Sequence, residues 1–171
     1  MHKAVFLDRD NTLIYDKGYT YKTDDLSWIP GSINGLQLFS SQGFKLIVIT
    51  NQSGIARGYY TEEEMDTFHT FMNKDLLEKT GIMIDKFYHC PHFPNGDIKQ
   101  YSKSCNCRKP GDELFQKAIL EFSIDTSQSI VIGNKGFFTK KKNGDILVNI
   151  IDKGKKIKNF DLANPINLEI I

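Results

Sequence analysis

The sequence predicts an α/β protein: a doubly wound, Rossmann-like parallel sheet. Three observations lead there. Fully apolar runs recur, at Ala4-Val5-Phe6-Leu7, Leu46-Ile47-Val48-Ile49 and Ile130-Val131-Ile132. A run without a polar face is the signature of a strand covered on both sides. The runs alternate with longer stretches of helical periodicity, the order that builds right-handed βαβ units.

The first run is the first strand. It delivers Asp8, Arg9, Asp10, Asn11 and Thr12 to its carboxyl end, the rim where open α/β sheets bind ligands. Asp8 and Asp10 share the strand mouth, and the intervening Arg9 points elsewhere. Two neighbouring carboxylates repel, so the pair calls for a bound cation or for a division between nucleophile and acid/base. An Asx-turn capping a bend is the purely structural alternative. Residues 14–30, polar and aromatic with Gly18 and a Pro30-Gly31 break, form a loop or small flap over that mouth. A helix of about three turns opens at Ser32, carries Ile33, Leu36, Leu38 and Phe39, and ends at Gly43.

Lys45–Thr50 is the second strand, presenting Thr50-Asn51-Gln52-Ser53-Gly54 at its end. Thr61-Glu62-Glu63-Glu64 is a capping box. Its helix carries Met65, Phe68, Met72, Leu76 and Leu77 and stops at Gly81; His69, without a partner in view, is expected at the surface. The third strand is expected over Ile82–Tyr88, followed by a long irregular loop over residues 89–108. Pro110 stands near the start of an amphipathic helix bearing Leu114, Phe115, Ala118, Ile119, Leu120 and Phe122. Ser129–Gly133 is the fourth strand and ends at Asn134-Lys135. Beyond it the helical stripe fades through Phe137-Phe138 and Lys140-Lys141-Lys142, with a fifth strand expected over residues 146–151 and a lysine-rich tail. No repeat or linker divides the chain, so residues 1–171 are expected to form one domain without a large cap, atypical from about residue 134.

With 171 residues, 40% hydrophobic and 25% charged, the composition is that of an ordinary globular protein. A formal net charge of +1 gives no global attraction to nucleic acid or an anionic membrane. No apolar run approaches a membrane span, and no signal-peptide core precedes Asp8, so a cytoplasmic protein is expected. All three cysteines fall in or beside the long loop. Cys90-x-His92 and Cys105-x-Cys107 are two ligand pairs with residues 93–104 between them, a pattern that suits tetrahedral, structural Zn²⁺. His89 competes for the histidine position, with His92 favoured. Zinc would stiffen the loop that carries Arg108 and Lys109.

In a parallel sheet, four groups reach one rim: Asp8/Asp10, Thr50/Asn51, Arg108-Lys109 and Asn134/Lys135. Carboxylates, a hydroxyl beside backbone amides, and cations suit a phosphoryl group. Two like unit charges at 4 Å repel by about 4 kcal/mol at an effective dielectric of 20. A carboxylate facing phosphate therefore needs a bridging cation, and Mg²⁺ is the natural one.

Asp8-x-Asp10-x-Thr12, Thr50-Asn51, Lys109 before a helix and Ile132-Gly133-Asn134 resemble the four motifs of the haloacid dehalogenase-like phosphatases. Asp8–Leu13, Thr50–Gly58, Cys90-Pro91-His92 and Cys105–Pro110 are similar to the D,D-heptose 1,7-bisphosphate phosphatase branch, related to the histidinol-phosphatase domain. The resemblance runs from about residue 3 to residue 135. It implies removal of a phosphate from a sugar bisphosphate through an aspartyl-phosphate. Asp8 would be the nucleophile and Asp10 the acid/base, with Thr50 and Lys109 holding the phosphoryl group. Mg²⁺ would sit on Asp8, Asp10 and position 134. Substrate contacts would come from Asp16, Gly18, Tyr19, Asn51, Gln52, Ser53, Arg108 and Lys135. Structural Zn²⁺ would sit on Cys90, His92, Cys105 and Cys107. The partner implied is a small sugar phosphate, D-glycero-D-manno-heptose 1,7-bisphosphate, a lipopolysaccharide precursor; nucleic acid and membrane are not implied, and a monomer is expected. Two alternatives stay open: an impaired homologue that binds sugar phosphates or a partner, and a phosphatase for histidinol phosphate or another small phosphomonoester. The chain departs from the pattern at Asn134, where the family carries Asp, and at Phe137-Phe138, where it carries another acid. That departure implies weaker Mg²⁺ binding and slower turnover.

Overall fold

Strand β1, Ala4–Leu7, is flanked by parallel neighbours on both sides, in a computed structural model that describes residues 1–133. The elements run β1, α1 (Ser32–Ser41), β2 (Lys45–Asn51), α2 (Glu62–Thr80), β3 (Lys86–Cys90), α3 (Glu113–Glu121) and β4 (Ile130–Ile132). The sheet order is β3-β2-β1-β4, and every pairing is parallel.

The two-residue period of a strand divides the core into two layers. Val5, Leu7, Leu46, Val48 and Ile130 face α1 and α2 through Leu36, Phe39, Phe68, Met72 and Leu76. Ala4, Phe6, Ile47, Ile49 and Val131 face α3 through Leu114, Phe115 and Ala118. A sheet with helices on both faces is the doubly wound architecture the apolar runs predict. Among the described residues no connection is long enough to be a cap domain.

Helix α2 starts where its capping box places it. Thr61 Oγ1 accepts from Glu64 N at 3.1 Å, and Glu64 Oε2 accepts from Thr61 N at 2.8 Å. It stops at Gly81, whose φ of +77° would strain any side chain. The flap over residues 14–30 is pinned to α2 by Trp28 Nε1, which donates to Asp75 Oδ2 at 2.8 Å.

Three expectations are corrected. The third strand begins at Lys86, not Ile82, and runs on to Cys90. Residues 82–85 are apolar enough to mimic a strand, but α2 holds them instead. Asn73 Oδ1 accepts from Ile84 N at 2.8 Å and its Nδ2 donates to Ile84 O at 3.0 Å, so the backbone groups a ladder would use are taken. Leu77 and Leu120 lie off the buried stripes of their helices, 45% and 80% exposed. His69 is not at the surface: it is 4% exposed, its ring stacked on Phe87 at 4.3 Å. Asn134, Lys135, Phe137-Phe138, the lysine run and the expected fifth strand over 146–151 lie outside the described residues.

Candidate active site

β1 and β2 end side by side, and the loop after β3 bends back over both. Between them lies a cleft of about 400 Å³. Its walls carry Asp8, Asp10, Asp16, Tyr19, Asn51, Gln52, Ser53, Arg108 and Lys109, nine of the residues singled out from the sequence. Thr50 is fully buried behind the wall. Gly18 also stands off it, giving the flap a turn with φ +100°. Asn11, delivered to this rim by the first strand, lines the cleft as well, and so does Tyr60, which sequence reasoning passed over.

The two carboxylates are held from opposite directions. Asp8 Oδ1 accepts from Lys109 Nζ at 2.8 Å and from Arg9 N at 2.9 Å. Lys109 Nζ also donates to Ile49 O at 2.6 Å. Asn51 grips the backbone of Lys109 twice: its Oδ1 accepts from Lys109 N at 3.0 Å, and its Nδ2 donates to Lys109 O at 3.2 Å. The second strand end thus fixes a lysine that the chain supplies from the distant thiol loop.

Asp10 is held from beneath. Its Oδ1 accepts from Arg9 Nε at 2.8 Å and its Oδ2 from Gln52 Nε2 at 2.9 Å. Gln52 is a buried junction: Nε2 also donates to Thr50 Oγ1 at 2.7 Å, and Oε1 accepts from Tyr60 OH at 2.6 Å. Tyr60 lies so close to Gly54 that a Cβ there would fall 2.2 Å from its ring. Burial raises the Asp10 pKa above its ordinary value; the Arg9 charge opposes this, and Asp16 and Asp8 add to it. A carboxyl poised this way can carry a proton to a leaving group.

The flap contributes Asp16, whose Oδ1 accepts from Gly18 N at 3.0 Å and from Thr20 N and Oγ1 at 3.1 Å. At the rim, Arg57 lies 4.0 Å and Arg108 5.5 Å from the Phe93 ring. Three carboxylates, Asp8, Asp10 and Asp16, share one cleft. That donor set fits a hard dication, which would relieve their mutual repulsion.

The Cys/His ligand pairs come together as the spacing predicts. The donor atoms of Cys90, His92, Cys105 and Cys107 all lie within 4.8 Å of one another. The sulfur separations are 3.0, 3.2 and 3.5 Å, and His92 Nδ1 is 3.2 Å from Cys107 Sγ. A tetrahedral ion with Zn–S arms of about 2.3 Å has edges of about 3.8 Å, so small outward shifts would seat it. All three thiols are free. His89 goes elsewhere: its Nε2 is 2.8 Å from Glu62 Oε1, while Tyr101 OH donates to Glu62 Oε2 at 2.5 Å. Glu62, the first residue of α2, therefore ties down the start and the middle of the thiol loop.

A family model described as polynucleotide kinase 3 phosphatase matches residues 3–162. The chain is 44% identical over 133 residues to the D-glycero-beta-D-manno-heptose-1,7-bisphosphate 7-phosphatase of Haemophilus ducreyi, covering 78% of this chain and 72% of that protein. It is 39% identical over 178 residues to the Pasteurella multocida protein of the same name, covering 98% and 95%. A crystal structure of D,D-heptose 1,7-bisphosphate phosphatase from B. bronchiseptica, complexed with magnesium and phosphate, matches with a TM-score of 0.68 at 26% identity. That match covers 79% of this chain and 72% of the other.

Proposed function

We propose a function from the premise that this chain belongs to the polynucleotide kinase 3 phosphatase family of haloacid dehalogenase-like phosphatases. It is a phosphomonoester hydrolase that removes the 7-phosphate of D-glycero-D-manno-heptose 1,7-bisphosphate. It acts as a monomer on a small sugar phosphate in the cytoplasm, where three free thiols suit a reducing medium. Among the described residues no helix is long and apolar enough to cross a membrane.

The observation that carries this reading is the placement of Lys109 Nζ on Asp8, with Asp10 gripped in the same cleft. Lys109 and Arg9 N occupy Oδ1 of Asp8, so the in-line attack on phosphorus falls to Oδ2. The bond from phosphorus to the sugar oxygen breaks as the bond to Asp8 forms, and Asp10 gives its proton to the departing oxygen. Asp10, now a carboxylate, takes a proton from water. That water attacks phosphorus and releases inorganic phosphate, restoring Asp8. Lys109 offsets the charge of the phosphoryl oxygens. Thr50 lies behind the wall and accepts from Gln52 Nε2, so it holds in place a side chain that faces them. Arg108, Asp16, Tyr19, Asn51 and Ser53 form the wall against the sugar and its second phosphate, with Gly18 shaping the flap.

Asp8 and Asp10 would hold Mg²⁺, completed by Asn134. Bound there, the ion supplies charge neutralisation between carboxylate and phosphate. Cys90, His92, Cys105 and Cys107 would hold structural Zn²⁺. Lys135 would face the same cleft; it and Asn134 lie outside the described residues.

A substrate panel tests the assignment. Heptose 1,7-bisphosphate is expected to exceed histidinol phosphate and a 3′-phosphorylated oligonucleotide by about 100-fold in kcat/KM, a differential binding of about 2.7 kcal/mol. Equal rates on all three would refute it. Asn134 favours a second reading, an impaired homologue. In that case Asn134→Asp raises phosphate release and lowers the Mg²⁺ needed for half-maximal rate; an unchanged Mg²⁺ dependence and rate count against it.

A further inference from the structure

Arg9 is fully buried, an unusual place for a guanidinium. Among the described residues only one partner of the guanidinium is an anion: Nε donates to Asp10 Oδ1 at 2.8 Å. Nη2 donates to Thr20 O at 2.9 Å and to Gln52 Oε1 at 3.0 Å, and the guanidinium lies over the Phe68 ring at 5.3 Å. Nη1 lies 3.0 Å from Nε2 of His69, in the middle of α2. Arginine has donors and no acceptor, so this bond requires Nε2 to be the unprotonated nitrogen and His69 to be the neutral Nδ1–H tautomer. Burial and the Arg9 charge, with a smaller push from His89, hold His69 well below its ordinary pKa.

The bonds form a frame. His69 sets Arg9; Arg9 takes one oxygen of Asp10 and orients Gln52; Gln52 takes the other oxygen. We propose that Arg9 and His69 are positioning residues for Asp10: a neutral imidazole in α2, which reaches no substrate, fixes the plane in which the carboxyl hands over its proton. This rests on the assignment of Asp10 as acid/base above. A merely structural Arg9–His69 pair would fill the core and steady the fold without regard to which phosphate ester is bound.

The leaving group separates the two. A sugar alkoxide needs a proton to depart, whereas p-nitrophenolate does not. The measurement is single-turnover release of the leaving group from heptose 1,7-bisphosphate and from p-nitrophenyl phosphate, which isolates the first step. His69→Leu keeps an apolar filling and removes the acceptor. It is expected to slow the sugar ester by about 10-fold or more, with the aryl ester slowed less than about 3-fold and KM little changed. His69→Gln, which restores an acceptor, should bring the sugar ester back to within about 3-fold of native. Arg9→Lys, which keeps charge but loses the fork, should repeat the His69→Leu pattern. Equal slowing of both esters, or of neither, overturns the proposal. The native chain gives a further reading by nitrogen NMR: His69 as the Nδ1–H tautomer supports the frame, and a proton on Nε2 overturns it even if a variant does not fold. A native chain inactive on both esters would instead refute the phosphatase assignment, and the proposal with it.

Discussion

The two halves of the cleft are built by opposite strategies. Asp8 is paired with Lys109, a cation carried in from the thiol loop and clamped by Asn51. Asp10 is paired with Arg9, its immediate neighbour in sequence, and steadied from inside the core by His69 and Gln52. The first half depends on a loop whose order comes from a four-ligand cluster and from Glu62. The second depends on the packing of α2 beneath the sheet. Two carboxylates two residues apart therefore answer to different parts of the molecule, which is how one strand end can give them different roles.

The largest effect that sharpens this contrast is Lys109→Met. It removes the charge on Asp8 and is expected to lower kcat by about 10²–10³-fold while α2 and the sheet stay intact. Activity assays alongside circular dichroism check both parts; a loss of fold would show that the lysine is structural.

Next comes Cys105→Ser, or removal of metal by a chelator. Either is expected to abolish stoichiometric zinc and to lower activity by at least the 10–100-fold seen when a metal site is perturbed only indirectly. Hydrogen exchange should quicken over residues 91–112 and leave α2 unaffected. Quickening throughout the sheet would merge the two halves into one cooperative unit.

The Asp10 half should instead respond to pH through His69. Burial, the Arg9 charge and His89 lower its pKa in the folded chain. The unfolded chain binds a proton below the ordinary 6.5 while the folded chain does not, so stability is lost as pH falls below 6.5. Tm is expected to fall more steeply with acid in the native chain than in His69→Gln. Parallel Tm curves would mean that His69 is not held neutral. The smallest effect lies far from both halves: Thr61→Ala removes the α2 cap and should cost about 1 kcal/mol in urea unfolding, with kcat unchanged.

These regions were not equally legible in the sequence. The strands were readable because two-sided burial leaves no polar residue in the run. The Cys/His cluster was readable because ligand pairs at short spacing are rare by chance. Asp8, Asp10, Thr50 and Lys109 could be placed because parallel strands end on one rim. The third strand was misplaced because Ile82-Met83-Ile84 carries the apolarity of a strand, and only the fold reveals that Asn73 occupies the backbone of Ile84. Arg9 was missed because strand alternation turns it away from the mouth, whereas its guanidinium folds back onto Asp10, and His69 because a titratable side chain suggests solvent. A signal was present, though: His69 completes the stripe Met65, Phe68, His69, Met72 and Leu76, whereas Leu77 breaks it. Tyr60 gave no cue, since its role depends on meeting Gln52 across a glycine turn.

The central claim is that Asp8 is the nucleophile of a sugar-bisphosphate phosphatase. Phosphate release from heptose 1,7-bisphosphate with Mg²⁺, for the native chain and Asp8→Asn, tests it most directly. The native chain should release one equivalent per sugar and stop, and the variant should be slower by about 10⁴-fold or more while keeping its fold. A folded variant that releases phosphate at the native rate would contradict the assignment.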